Sequence, residues 1–186
     1  DLEFSSDFHS NIDVLFLCVG HCDARKFLDA NPVDPSVKII DLSQDYRLRA
    51  NTAYQGKQFV YGLPELNREA IKSAQYIANP GCFATAIQLG LLPIASKDAI
   101  SSVHVVGVTG STGAGKSLGA TTHFSWRNGN ISAYKTLTHQ HIAEINKSVN
   151  TVSKEPVSVQ FVPWRGDFTR GIFTSMLFYS QLELNE

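Results

Sequence analysis

The chain is poor in cysteine, carries no block of like charge and has no long apolar run. Each shortage removes a class of protein. Three cysteines in 186 residues (Cys18, Cys22 and Cys82) cannot all pair, which argues against a disulfide-stapled secreted scaffold and for a reducing, intracellular, cytoplasmic setting. Cys18 sits in an apolar run and is expected to be buried. Sixteen basic against seventeen acidic residues leave a net charge of −1, so nothing marks the chain for nucleic acid or an anionic membrane. Apolar runs such as VLFLCVG fall far short of the roughly 20 residues a membrane helix needs, and no secretory signal opens the chain. There is no repeat and no low-complexity tract. What is there, 43% hydrophobic residues, suffices for one sizeable core or two small domains. The ends, DLEFSSDFHS and SQLELNE, read as cuts through a longer chain.

The first part alternates strand and helix. IDVLFLCVG (12–20) is a buried-strand pattern. CDARKFLDA (22–30) puts Ala24, Phe27 and Leu28 on one helical face, and VKIIDLS (37–43) is a second strand. Strand, helix and strand form a βαβ unit of a parallel sheet. EAIKSAQYIANPG (69–81) predicts a helical turn or two and a short strand stopped by Asn79-Pro80-Gly81. CFATAIQLGLLPIAS (82–96) is the strongest helix, with Phe83, Ala86, Ile87 and Leu91 as its stripe and Pro93 at its end. Beyond it SVHVVGVTG (102–110), VSVQFVP (157–163) and GIFTSMLFYSQL (171–182) are strand-like, with HIAEINKSVN (141–150) as a helix between them. This predicts an antiparallel sheet with a helix on one face, and a domain boundary near residue 81.

VTGSTGAGKSLG (108–119) contains Gly110, Gly115, Lys116 and Ser117 in the spacing of a nucleotide-binding phosphate loop. Such a loop needs a helix straight after it, because the helix N-terminus holds the phosphates. The next residues, LGATTHFSWRNGN, have poor helix propensity and no apolar stripe. Neither later strand ends in the aspartate that would hold the metal. The plainer expectation is a glycine-rich turn whose N–H groups, with Lys116, hold some anion.

Asn79-Pro80-Gly81-Cys82 places a thiol at the first turn of a helix, where unpaired N–H groups and the helix dipole favour the thiolate and can stabilise an oxyanion. A small residue filling a helix start fits the same spacing. THQHIAE (138–144) supplies His139, His141 and Glu144: an acid/base partner for a thiolate, surface histidines at a helix start, or a metal-binding module. His141 is favoured as the proton carrier because Glu144 lies one turn on. DLSQDYRLR (41–49) puts Ser43 and Arg47 beyond a parallel strand, where ligands bind and an arginine can hold phosphate. Arg170, just before a strand, can hold a carboxylate or stand exposed.

IIDLSQDYRL, YGLPELNREAI, ANPGCFATA, VTGSTGAGK, HQHIAEI and FTRGIF, in this order, resemble the N-acyl-γ-glutamyl-phosphate reductases, with the aspartate-semialdehyde dehydrogenases more distant. The resemblance covers residues 12 to 180. It implies an α/β plus α+β fold: residues 1–81 as part of a Rossmann-type NADP-binding domain, and residues 82–186 as a catalytic and dimerisation domain. It implies NADPH-dependent reduction of an N-acetyl or N-succinyl acyl phosphate to the semialdehyde, releasing inorganic phosphate, in a homo-oligomer. Cys82 matches the nucleophile and His139 and His141 the acid/base motif. Arg47, Ser43, Lys116, Glu144 and Arg170 are implied at the substrate, and Asn79, Pro80, Gly113 and Gly115 at the cofactor. Three departures stand out. Lys116 replaces an arginine, which loses the fork. Gln140 replaces a cation. No G-x-G-x-x-G precedes residue 12, so this stretch alone is expected to bind NADPH weakly and to be inactive.

Overall fold

The computed structural model describes residues 3–5, 7–9, 11–115 and 117–180. Contacts group the chain into two compact units, Asp1–Gly81 and Cys82–Glu186.

In the first unit, β1 (Val14–Leu17), α1 (Ala24–Ala30) and β2 (Lys38–Asp41) form the expected parallel βαβ unit. Ala24 and Leu28 of α1 are buried with Leu17 and Ile39, because i, i+4 positions share a helix face. A hairpin that the sequence reading did not identify follows, β3 (Ala53–Tyr54) and β4 (Lys57–Tyr61). Its turn, Gln55-Gly56, has φ of 46° and 78°, the left-handed conformation that two-residue hairpins require. Helix α2 (Pro64–Ser73) begins five residues earlier than the apolar pattern suggests. Proline is suited to the first turn, where its missing N–H is not needed. β5 (Tyr76–Ala78) then enters between β2 and β4, giving the order β1-β2-β5-β4-β3 with all pairings parallel except β3–β4. Tyr46 stacks on Phe59 at 4.0 Å at the centre of this core.

Two expectations fail here. β1 is not buried on both faces: Leu17 is covered, but Phe16 is 58% exposed. Successive strand residues point to opposite faces, and α1 covers only the one carrying Leu15 and Leu17. Cys18 lies one residue past β1 and is exposed rather than buried.

The second unit opens with α3 (Cys82–Ala95), followed by β6 (Ser102–Thr109), a short helix α4 (Phe124–Arg127), β7 (Ser132–Ala133), α5 (His141–Val152), β8 (Ser158–Arg165) and β9 (Ile172–Leu177). The sheet order is β7-β8-β6-β9. It is mixed, not purely antiparallel: β6 and β8 run parallel from Ser102↔Ser158 to Thr109↔Arg165, while β7 and β9 are antiparallel to their neighbours. The alternating burial of a strand carries no sign of its direction. Here α5 returns the chain to the end where β6 began, so β8 starts alongside it.

One face of α3 and of α5 closes the core. Phe83, Ile87 and Leu91 of α3 meet Ile145 and Val149 of α5 and Val103, Val105, Val159 and Phe161 of the sheet. Ala86 is only half-buried; the stripe runs instead through Ala84, Gln88 and Leu92. Pro93 does not end α3 but lies inside it, two residues from the end. The carbonyl it leaves without an N–H belongs to Leu89, in an exposed turn, so the disruption is local.

Candidate active site

Cys82 is the first residue of α3 and is exposed, while Pro80 and Gly81 before it are buried and fix the entry of the helix. The thiol therefore stands at the helix end where N–H groups have no intrahelical partner.

The two histidines at the start of α5 have different surroundings. His139 is 5% exposed, and rings surround it: Phe83 at 5.9 Å, Tyr134 at 5.7 Å, Phe161 at 5.4 Å and His141 at 4.6 Å between centroids. Its Nδ1 accepts the backbone N–H of His141 at 3.2 Å, so that nitrogen carries no proton. Burial, then His141 and Lys135, hold its pKa down to about 4. His139 is thus a neutral brace for the start of α5 and poorly placed to take a proton. His141 is also buried, and its Nε2 lies 3.9 Å from Oε1 of Glu144, itself only 3% exposed. A carboxylate one turn along can orient an imidazole, an arrangement that suits a residue that exchanges protons.

The glycine-rich loop departs from both readings of its N–H groups. Gly110, Ser111 and Thr112 donate theirs to the carbonyls of Gly171, Phe168 and Thr169, and Gly113 and Gly115 donate to carbonyls within the loop. These donors are committed to the chain itself, so they form no phosphate cradle. Gly110 is glycine because a Cβ there would lie 2.7 Å from the Thr169 carbonyl oxygen. A short 3-10 turn, Ser111–Ala114, follows the strand in place of a long helix. Both findings weigh against a nucleotide P-loop. Lys116 lies outside the described residues. Among them, no group of three or more His, Cys, Asp and Glu side chains is arranged to hold a metal ion, which leaves the metal-module alternative without support.

In the first unit, Arg47 is 5% exposed; its Nε donates to the Asn79 carbonyl at 2.8 Å and its Nη2 to that of Leu42 at 2.9 Å. It clamps the C-terminal ends of β2 and β5. Ser43 is equally occupied: its hydroxyl donates to Asp41 at 2.9 Å and accepts the N–H of Asp45 at 3.1 Å. The side chain of Asn79 is exposed at the rim of β5, and Arg170 is exposed in the turn before β9.

Two residues were not apparent from the sequence. Arg165, the last residue of β8, places its guanidinium 4.5 Å from the Tyr134 ring centroid, and Tyr134 is edge-on to His139. Buried Arg127 donates to four groups, the carbonyls of Thr121, Asn130 and Arg165 and the Ser132 hydroxyl. The WRG that closes the VSVQFVP alternation, at the strand end beside the glycine loop, was the available signal.

Two family models cover almost all of the chain. "Semialdehyde dehydrogenase, dimerisation domain" matches residues 82–186, and "Semialdehyde dehydrogenase, NAD binding domain" matches residues 1–74. The chain belongs to the semialdehyde dehydrogenase family. Among curated relatives, the N-acetyl-gamma-glutamyl-phosphate reductase of Azobacteroides pseudotrichonymphae is 52% identical over 100% of this chain and 57% of its own length. That of Parabacteroides distasonis is 51% identical over 100% and 58%. The chain therefore spans a little over half the length of these relatives. Among solved structures, aspartate semialdehyde dehydrogenase II of Vibrio cholerae aligns with 94% of this chain and 57% of its own, at a TM-score of 0.66 and 16% identity. The enzyme of Candida albicans, solved with NADP, aligns at a TM-score of 0.60 and 12% identity over 94% of this chain and 52% of its own. These likenesses establish the fold: a Rossmann-type unit followed by the mixed-sheet unit of this family. No helix among the described residues is long and apolar enough to cross a membrane.

Proposed function

We propose that the chain forms the reactive part of an NADPH-dependent acyl-phosphate reductase. It acts on N-acetyl-γ-glutamyl phosphate, or its N-succinyl analogue, in cytoplasmic arginine biosynthesis. The observation that carries this reading is a thiol at a helix N-terminus, Cys82, in the same unit as a buried His141–Glu144 pair. The relatives' name and their identity of about one half support it.

The Cys82 Sγ attacks the acyl carbon of the acyl phosphate, a mixed anhydride. A C–S bond forms, the C–O bond to phosphate breaks, and phosphate leaves with the electron pair, giving a thioester. When bound, NADPH would supply the hydride that reduces this thioester. His141 donates a proton to the developing oxyanion and takes it back as the C–S bond breaks and aldehyde departs, with Glu144 holding its ring. The N–H groups at the start of α3 are the donors available to stabilise that oxygen. Asn79, exposed at the C-terminal rim of the parallel sheet, and Pro80 fit the place where such sheets hold a dinucleotide. Gly113 and Gly115 have no free N–H to offer it and would contribute only by leaving room.

The open face of the second sheet supports self-association. Val106, Phe173 and Leu177 are 44%, 67% and 71% exposed on it, an apolar surface suited to a second copy of the family's dimerisation domain. The test is the full-length protein run from semialdehyde, NADP and inorganic phosphate, with N-acetyl and N-succinyl substrates in parallel. Phosphate-dependent formation of NADPH that disappears in Cys82→Ser is the expected result. Turnover that ignores phosphate, or survives the substitution, overturns the reading.

A further inference from the structure

Arg165 is a half-buried cation that engages Tyr134, over its ring and at its hydroxyl, and still keeps a donor without a partner. Its Nε is buried without a hydrogen-bond partner, and no carboxylate pairs with it among the described residues. A buried arginine normally has its donors satisfied, as those of Arg127 and Arg47 are. The position is also fixed firmly. β8 pairs Arg165 with Thr109, the residue before the glycine loop, and with Ser132 of β7. Arg127 holds the Arg165 carbonyl at 2.6 Å, and the Tyr134 ring supports the guanidinium from beneath at 4.5 Å. From there a continuous set of rings leads to the candidate site, Tyr134 to His139 at 5.7 Å and His139 to His141 at 4.6 Å. Cys82 and Arg165 both act electrostatically on the Tyr134 hydroxyl, so the thiol and the guanidinium lie within reach of one phenol.

We propose that Arg165 is a substrate ligand, holding an oxyanion beside Cys82 through guanidinium donors that include the unpartnered Nε. The chemistry is a bidentate fork on a planar or tetrahedral set of oxygens. Two parts of an acyl-phosphate substrate offer such oxygens, its phosphoryl group and its carboxylate. The inference rests on Cys82 being the nucleophile, so its test separates the two claims.

In the full-length protein, Cys82 is alkylated with iodoacetate, which is anionic, and with iodoacetamide, which is neutral and nearly the same size. Arg165→Met is expected to slow iodoacetate about tenfold more than iodoacetamide, and Arg165→Lys, which keeps the charge, to recover much of the difference. Steady-state constants then identify the oxygens. A Michaelis constant raised about ten- to a hundredfold for inorganic phosphate alone assigns the phosphoryl group, and one raised for the semialdehyde alone assigns the carboxylate. An unchanged ratio of alkylation rates, with Cys82 still labelled rapidly, overturns the role of Arg165 and leaves the nucleophile standing. Slow labelling of Cys82 in the unaltered protein removes the nucleophile itself. Thermal melts of both variants accompany the rates. If Arg165→Met fails to fold, Arg165→Lys carries the test: affinity unchanged for both anions, despite the lost fork, then counts against the proposal.

Discussion

His139 provides a quantitative test of how the start of α5 is built. Its imidazole is 5% exposed among Phe83, Tyr134 and Phe161, and its pKa falls from the ordinary 6.5 to about 4. Because the folded value is depressed, the unfolded chain binds more protons between these two pH values. Stability is therefore intact above pH 6.5 and falls as the pH drops towards 4. At about 1.36 kcal/mol per pH unit, the penalty is about 2 kcal/mol at pH 5 and about 3 kcal/mol below pH 4. His139→Phe keeps an aromatic ring in the cage and removes the titration. It also removes the Nδ1 acceptor from the His141 N–H, which costs about 1 kcal/mol at any pH. The variant is expected to be less stable than the parent at pH 7.5 and more stable at pH 5. Urea unfolding, followed by the fluorescence of Trp126 and Trp164 in the same unit, measures both. Parallel stability curves with no crossing would mean that His139 is protonated in the fold and that the neutral-brace assignment is wrong.

Three further outcomes are expected. Gly107→Ala would set a Cβ 2.5 Å from Phe83 and 2.9 Å from Phe161, two fully buried rings, so it should lower stability by about 1–3 kcal/mol in the same urea assay. Arg47→Lys loses the fork that joins the Leu42 and Asn79 carbonyls; it should lower the melting temperature and raise the Michaelis constants for phosphate and NADP alike, whereas a rise for phosphate alone would make Arg47 a phosphate ligand. Cys18, Cys22 and Cys82 are all exposed, so limiting iodoacetamide should label Cys82 first because of its helix-start environment and not through access; peptide mapping that shows equal rates would remove that advantage.

Elements with one covered face were legible in the sequence. The alternation of Val157, Val159 and Phe161 and the spacing of Phe83, Ile87 and Leu91 report burial, and the structure buries all six. Strand direction was not legible, since β6 and β8 would show the same alternation if antiparallel. The β3–β4 hairpin escaped notice because its strands are short and its turn, Gln55-Gly56, lacks the usual asparagine or aspartate. At the candidate site, the helix starts at Cys82 and His141 could be read from the NPGC and HQH stretches because they depend on local spacing. The loop N–H groups could not be, because their acceptors at Phe168, Thr169 and Gly171 lie more than fifty residues away. Arg165 was missed for the same reason: its significance comes from Tyr134 and Thr109, brought beside it only by the sheet.

The central claim, a covalent route through Cys82, is tested most directly by trapping the acyl group. The full-length protein is mixed with N-acetyl-γ-glutamyl phosphate in the absence of NADPH, quenched in acid and digested. The account predicts one equivalent of phosphate released and the acyl mass on the peptide that contains Cys82, labile to hydroxylamine as a thioester and absent from Cys82→Ser. Phosphate release with no acylated peptide, or an acyl group on any other residue, would contradict it.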